Sequence, residues 1–502
     1  MRALARPRTI AWSRVMTVGL VVVALACGWW SLQRGVAYAR LALAYPAPLD
    51  GQEGMALWEA ALLRTGQPLY QPVTPDRFVS APYPPLHPLA LAIFGGSTAP
   101  HVFWAGRVIS LIAALLVAVA GGLLAREVTR SRLAGVAASV LILSFVPLQL
   151  WALRIKPDML GLAFTVTGLW LVARWRDHDS PPGASGGRAF RRLGLSPGLI
   201  AGAFAFACAH FTKQTLLAGP MAAGTYLLLL NWRVALRWSL AYLAFLAIAW
   251  LTLDLVTHGQ YTYHVWILHK LPWYVHRFTK LAAQLRDAWP LMILGALGLG
   301  ACLRRPTVIN AYLLWAPASL VGAGVVGSHH NHLLETGVAL ALAGGQAIGV
   351  GLARPGALRI VAPALVATQL LFWRAPLPWF AGEFAPEHDY ARYIRFIEQT
   401  PGEILADDVG LLYAAGRPLR YDDPAAMGPA AAIGLWDPSN LVAEIRAQRF
   451  TAILLEIDVF ADGIDDAHDR WTPEMLDAVR DAYEIKFRDT VIIYAPRPMA
   501  TP

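Results

Sequence analysis

Two carboxylates open the chemical reading of this chain. Asp50 and Glu53 lie in YPAPLDGQEG, residues 45 to 54, just beyond a long apolar run, and no basic residue close in sequence pairs with them. Such groups can accept a proton from an attacking hydroxyl, or Asp50 can serve as an N-cap with Glu53 at N3. Cations follow further along. Arg154 and Lys156 stand in RIKPDML with Asp158, and Lys213 stands in FTKQT, each at the end of an apolar segment. Arg154 and Lys156 could simply snorkel to an interface, with Asp158 pairing one of them. Lys213 interrupts an apolar stretch from Leu199 to Leu230, and ionisable groups at such depth usually serve function. A third cluster, GSHHNHLLE, holds His329, His330, His332 and Glu335. His332 and Glu335 share a helix face at i, i+3. Adjacent histidines seldom ligate one ion, so a metal site, an interfacial polar cluster and substrate binding by Asn331, His332 and Glu335 all stay open.

The elements that hold these residues belong to a membrane. Of 502 residues, 56% are hydrophobic and 15% charged. The apolar residues fall in blocks near residues 13–32, 103–125, 133–151, 158–174, 198–210, 215–231, 238–257, 288–303, 307–326, 332–352 and 357–373. Each block is read as a span, about eleven in all. Lys and Arg in the short loops put the N-terminus in the cytoplasm, and an odd span number puts the C-terminus outside. The Gly-, Pro- and Ser-rich segment 177–192 reads as a flexible cytoplasmic linker. Cys27, Cys208 and Cys302 lie in apolar blocks without metal-type spacing.

From Arg374 onward the chain changes character, carrying 22 of the 33 acidic residues and 12 of the 42 basic ones. The net positive charge therefore belongs to the membrane part and its cytoplasmic face, which excludes nucleic acid as the partner. Short apolar runs EILADD, TAILLEI and TVIIYAP alternate with helical patterns and predict a small α/β domain, residues 374–502. Asp407, Asp408, Asp422 and Asp423 read there as solvated turn residues. The membrane part is residues 1–373, with a first outer loop over 33–102, too long for a plain connection. Within it, QEGMALWEAALLRT predicts a helix closed by Gly66 and lying amphipathically on the bilayer. The aromatic and basic segment 258–287 reads as an interfacial belt or as a flap over a headgroup.

Asp50, Glu53 and Gly54, then Gly66, Pro68, Leu69 and Tyr70, then Tyr83, Pro84, Pro85 and Leu86, resemble the first outer loop of the GT-C superfamily of polytopic glycosyltransferases. That group includes the protein O-mannosyltransferases and lipid A aminoarabinose transferases. The resemblance continues through RIKPDML and FTKQT and through the order of long first loop, many spans and outer C-terminal domain. Many members carry an adjacent acidic pair; here Gly51 and Gln52 intervene, so Asp50 and Glu53 both stand as candidate bases.

The resemblance implies an inverting transferase. It would move a sugar from a polyprenyl-phosphate carrier to an acceptor hydroxyl on the outer face of an inner, or plasma, membrane. Arg154, Lys156 and Lys213 would bind the donor phosphate. Tyr83, Asp158, Asn331, His332 and Glu335 would contact substrate. Some members use a divalent ion and others do not, and the sequence requires none. The competing readings are a secondary transporter or lipid flippase, which should show inverted repeats that this sequence lacks, and a scaffold presenting the C-terminal domain.

Overall fold

The computed structural model describes residues 6–95, 100–176, 195–301, 306–353, 356–372, 384, 389–461 and 470–498. The linker 177–192 and Cys302 lie outside these residues. Each apolar block read from the sequence carries a helix. In chain order the helices of the first part are α1 (Arg6–Ala44), α2 (Glu53–Arg64), α3 (Leu86–Phe94), α4 (Trp104–Thr129), α5 (Arg132–Leu143), α6 (Val146–Trp151), α7 (Pro157–Arg176), α8 (Pro197–Thr212), α9 (Ala218–Leu230) and α10 (Trp232–Val256). After a short π-helical stretch, Tyr263–Leu268, come α11 (Val275–Ala282), α12 (Trp289–Ala301), α13 (Val308–Trp315), α14 (Leu334–Ala353) and α15 (Leu358–Phe372).

Among the described residues four helical stretches, Val15–Ala44, Trp104–Thr129, Trp232–Val256 and His330–Ala353, are long and apolar enough to cross a bilayer, and several shorter apolar helices pack beside them. Two boundaries differ from the sequence reading. α1 runs on to Ala44, so the first loop begins near residue 45 rather than 33, because no residue stops the helix before Tyr45 and Pro46. The block 133–151 divides into α5 and α6 at Ser144 and Phe145, ahead of Pro147. Close helix approach relies on small residues: a Cβ at Gly298 of α12 would fall 1.9 Å from the Ala343 carbonyl of α14.

The chain ends in α16 (Ala391–Gln399), β1 (Glu403–Ala406), α17 (Val409–Ala414), α18 (Pro424–Ala432), α19 (Ser439–Arg446), β2 (Phe450–Leu455), α20 (Pro473–Ala482), β3 (Tyr483–Phe487) and β4 (Ile492–Pro496). The sheet order is β1-β2-β4-β3. β1 and β2 are parallel, and the other two pairings are antiparallel. The three apolar runs of the sequence are β1, β2 and β4; β3, in YEIKF, is half polar and escaped the pattern.

This domain covers the first loop. Phe78 donates its N–H to the Arg420 carbonyl (2.9 Å), and Asp422 donates to the Phe78 carbonyl (3.0 Å). α2 is therefore not a surface helix. Ala56, Leu57 and Ala60 pack toward Leu91, Phe103 and Ile155, while Met55 and Trp58 pack against Leu411, Leu412 and Tyr393 of the C-terminal domain. Gly54 allows the contact, since a Cβ there would lie 2.3 Å from the Gly410 Cα. Gly66, at φ 72°, ends the helix as expected. Asp407, Asp408, Asp422 and Asp423 are all buried and are not the solvated turn residues their sequence suggests.

Candidate active site

The two opening carboxylates have different environments, and neither caps a helix. α2 starts at Glu53 with Gln52 at the N-cap position and no side-chain cap. Glu53 is fully buried and faces Arg107 of α4, with Oε2 2.7 Å from Nη2. Its carboxylate also accepts the backbone N–H groups of Leu49 (2.9 Å) and Ile155 (3.0 Å). Arg107 in turn donates to the carbonyls of Ala42, Tyr45 and Ala47 at 2.6–2.8 Å. The pair thus ties the end of α1, the start of α2 and the segment before α7 into one unit. Arg107 was legible only as a lone cation inside an apolar run, FWAGRVIS, of a kind that normally has a buried partner.

Asp50 is held by reach across the chain. Its Oδ1 lies 2.7 Å from Lys156 Nζ and accepts the Gln52 N–H at 3.0 Å. Lys156 donates also to Gln52 Oε1 at 2.6 Å. Because Glu53 binds the N–H of Ile155, it sets the position of Lys156 one residue on. Burial opposes ionisation of Asp50, but the charges of Lys156, His329 and Arg154 together with the Lys156 hydrogen bond outweigh it and hold the carboxyl below its usual range. Arg154 is buried and packs over Trp151 at 5.6 Å, donating to the Leu150 carbonyl.

A second lysine–carboxylate pair lies nearby. Asp158 sits in the first turn of α7 and Lys213 follows the last turn of α8, where each charge complements its helix dipole; Lys213 Nζ donates to Asp158 Oδ1. Asp158 therefore pairs with neither Arg154 nor Lys156. Asp158, Lys213, Thr215, Asn331, His332 and Glu335 line one small cavity. Glu335 Oε1 accepts from the Tyr312 hydroxyl at 3.3 Å, and His332 is fixed between the Ser319 carbonyl and the Ser328 hydroxyl. Among the described residues no group of three or more His, Cys, Asp or Glu is arranged to hold a metal ion. The lysines, moreover, occupy one oxygen of both Asp50 and Asp158.

Tyr83 joins the two pairs to the C-terminal domain. Burial raises its hydroxyl pKa, and the Asp158, Asp423, Asp50 and Glu59 carboxylates raise it further. Its carbonyl accepts from the Tyr70 hydroxyl at 3.0 Å. On the far side, Asp422 accepts the Ser80 N–H at 2.8 Å, and Asp423 meets the Ser80 hydroxyl at 3.0 Å and His269 Nε2 at 3.2 Å. His264 bridges the Gln71 carbonyl (2.6 Å) and the Ala81 N–H (3.2 Å). Tyr261 and His264 are buried, so the front of segment 258–287 is a strut of the first loop rather than a flap.

No protein-family model matches the chain, and no characterised protein matches it by sequence. Solved structures do match it by shape. ArnT from Cupriavidus metallidurans in the apo state aligns with a TM-score of 0.59 and 15% identity over 97% of this chain and 98% of ArnT. ArnT bound to undecaprenyl phosphate aligns at 0.57 and 16% over 97% and 99%. The chain has the fold of ArnT. The Archaeoglobus fulgidus oligosaccharyltransferase aligns at 0.48 and 13% over 94% of this chain and 75% of its own. The likeness to ArnT spans the helices and the C-terminal domain together.

Proposed function

We propose that this protein is an inverting glycosyltransferase of an inner membrane, taking a sugar from a polyprenyl-phosphate carrier to an acceptor hydroxyl on the outer face. The observation that carries the reading is the contact between Asp50 and Lys156 at the outer end of a GT-C fold, beside Tyr83 and the Lys213–Asp158 pair. ArnT, with the same fold, has been solved bound to undecaprenyl phosphate.

In this proposal Asp50 is the base. The acceptor oxygen attacks the anomeric carbon, its proton passes to Asp50, and the bond from that carbon to the carrier phosphate breaks with its electron pair on the phosphate. Arg154, Lys156 and Lys213 stabilise the charge that develops there. Lys156 has a double part. In the resting site it suppresses the basicity of Asp50; a donor phosphate competes for the ammonium and releases the carboxylate when it is needed. Glu53 holds Lys156 and the loop in place. Tyr83, Asp158, Asn331, His332 and Glu335 face the bound substrate.

Binding of undecaprenyl phosphate to the purified protein tests this. The wild type should bind, and Lys156→Met and a paired Lys213→Met/Asp158→Asn variant should each bind roughly ten-fold or more weakly, the worth of one charged hydrogen bond. Unchanged binding in both would remove the phosphate role.

A further inference from the structure

Three buried polar atoms near the lysines have no partner among the described residues: His87 Nε2, Asp158 Oδ2 and Glu335 Oε2. Their residues are 2%, 3% and 3% exposed. Buried groups of this kind are normally satisfied, and leaving one empty is costly, so three around a single site call for a common explanation. His87 lies one turn beyond Tyr83, at the start of α3, which packs on α2, α4 and α8. The charges it feels are those of Asp158 and Lys156. Asp158 and Glu335 line the same cavity with Lys213 and Asn331. Each carboxylate has one oxygen already fixed, on Lys213 and on Tyr312, which aims the other.

We propose that His87 Nε2, Asp158 Oδ2 and Glu335 Oε2 form the recognition site for the hydroxyl groups of the sugar on the donor, with His87 a specificity-determining residue. This rests on the carrier-dependent transfer proposed above. The chemistry fits: the free Asp158 oxygen accepts a hydrogen bond from a hydroxyl, the free Glu335 carboxyl oxygen meets another, and an imidazole either accepts from or donates to one. Burial keeps the His87 ring neutral, with its pKa down at about 4, so its part remains true across the neutral range. Such a set of polar atoms selects a monosaccharide that presents hydroxyls. Lys213, paired with Asp158, spans from this site to the phosphate position, so sugar and phosphate lie on either side of one ammonium.

The test compares binding of bare undecaprenyl phosphate with that of undecaprenyl-phosphate glucose, mannose and galactose to the purified full-length protein. At least one sugar-bearing carrier should bind more tightly than the bare carrier. His87→Leu should reduce that advantage roughly ten- to hundred-fold while leaving the bare carrier's affinity unchanged, and Glu335→Gln should reduce the advantage as well. His87→Asn, which keeps a hydrogen-bonding group, should restore part of it, which a packing role for the ring would not allow. An advantage untouched by the variants, or no advantage for any of the three sugars while the bare carrier binds, overturns this inference and leaves the carrier reading standing. Failure of the wild type to bind any carrier would overturn both.

Discussion

At the scale of single residues, the structure separates two carboxylates that look alike in sequence. Glu53 has every oxygen engaged by Arg107 and backbone N–H groups inside a closed pocket, whereas Asp50 meets a mobile type of cation, a lysine, at the edge of the site. Removing the charge of Glu53 leaves Arg107 buried without its counter-ion. Glu53→Gln should therefore lower stability by about 3–5 kcal/mol, measured by thermal or chemical unfolding in detergent. A Glu53→Gln protein that is as stable as wild type but inactive would return the base role to Glu53. The sequence showed both acids and Lys156 but not who pairs with whom, and left Arg107 a lone cation, because Asp50–Lys156 and Glu53–Arg107 are contacts across distant stretches of chain. His87 escaped notice for a related reason: a histidine in an apolar helix reads as a core residue until its empty nitrogen is seen.

At the scale of elements, α2 was legible as a helix down to its Gly66 stop, yet its surroundings were not. Its second face is covered by α17 and α16, whose own apolar residues carry no sign of their target. The junction is rich in acids that are short of cations. Asp408, at the start of α17, has its pKa pushed up to about 8 by burial first and then by Glu456, Asp50 and Glu53. Glu59 and Asp422 are likewise raised, by burial and then by neighbouring carboxylates. Such a carboxyl binds its proton more tightly folded than unfolded. Its contribution is fully present below the unfolded value of about 4 and is lost as pH rises through about 8 for Asp408. Asp408→Asn keeps an oxygen for the Gly410 N–H while removing the charge. It should stabilise the protein by several kcal/mol at pH 8 and hardly at all at pH 4, read as unfolding midpoints at the two values. A variant less stable than wild type at pH 8 would contradict this account of the junction.

At the scale of the whole molecule, hydropathy blocks and the shift in charge after residue 373 were enough to read a helical membrane part and a small α/β domain. What they could not convey is that the second part closes over the first loop, since that depends on shape rather than periodicity. The proposed orientation has a direct check. Single cysteines at the exposed positions Gln67 and Glu474 should react with an impermeant reagent from outside the cell, and one at Arg233 only after permeabilisation. The reverse pattern would put the site on the wrong side for an outer acceptor. Ser80 is unsuitable for such labelling because it is buried beneath Asp422 and Asp423. Whether Asp50 takes the acceptor's proton in a carrier-dependent transfer is tested by mass spectrometry of the polyprenyl-phosphate sugars in cells that carry no protein, wild type or Asp50→Asn. Asn preserves the shape and the bond from the Gln52 N–H but is no base. One carrier-linked sugar should accumulate equally in cells without the protein and in Asp50→Asn cells, with the variant folded and present at wild-type level. Asp50→Asn cells that match wild type, while cells without the protein accumulate the donor, would contradict it.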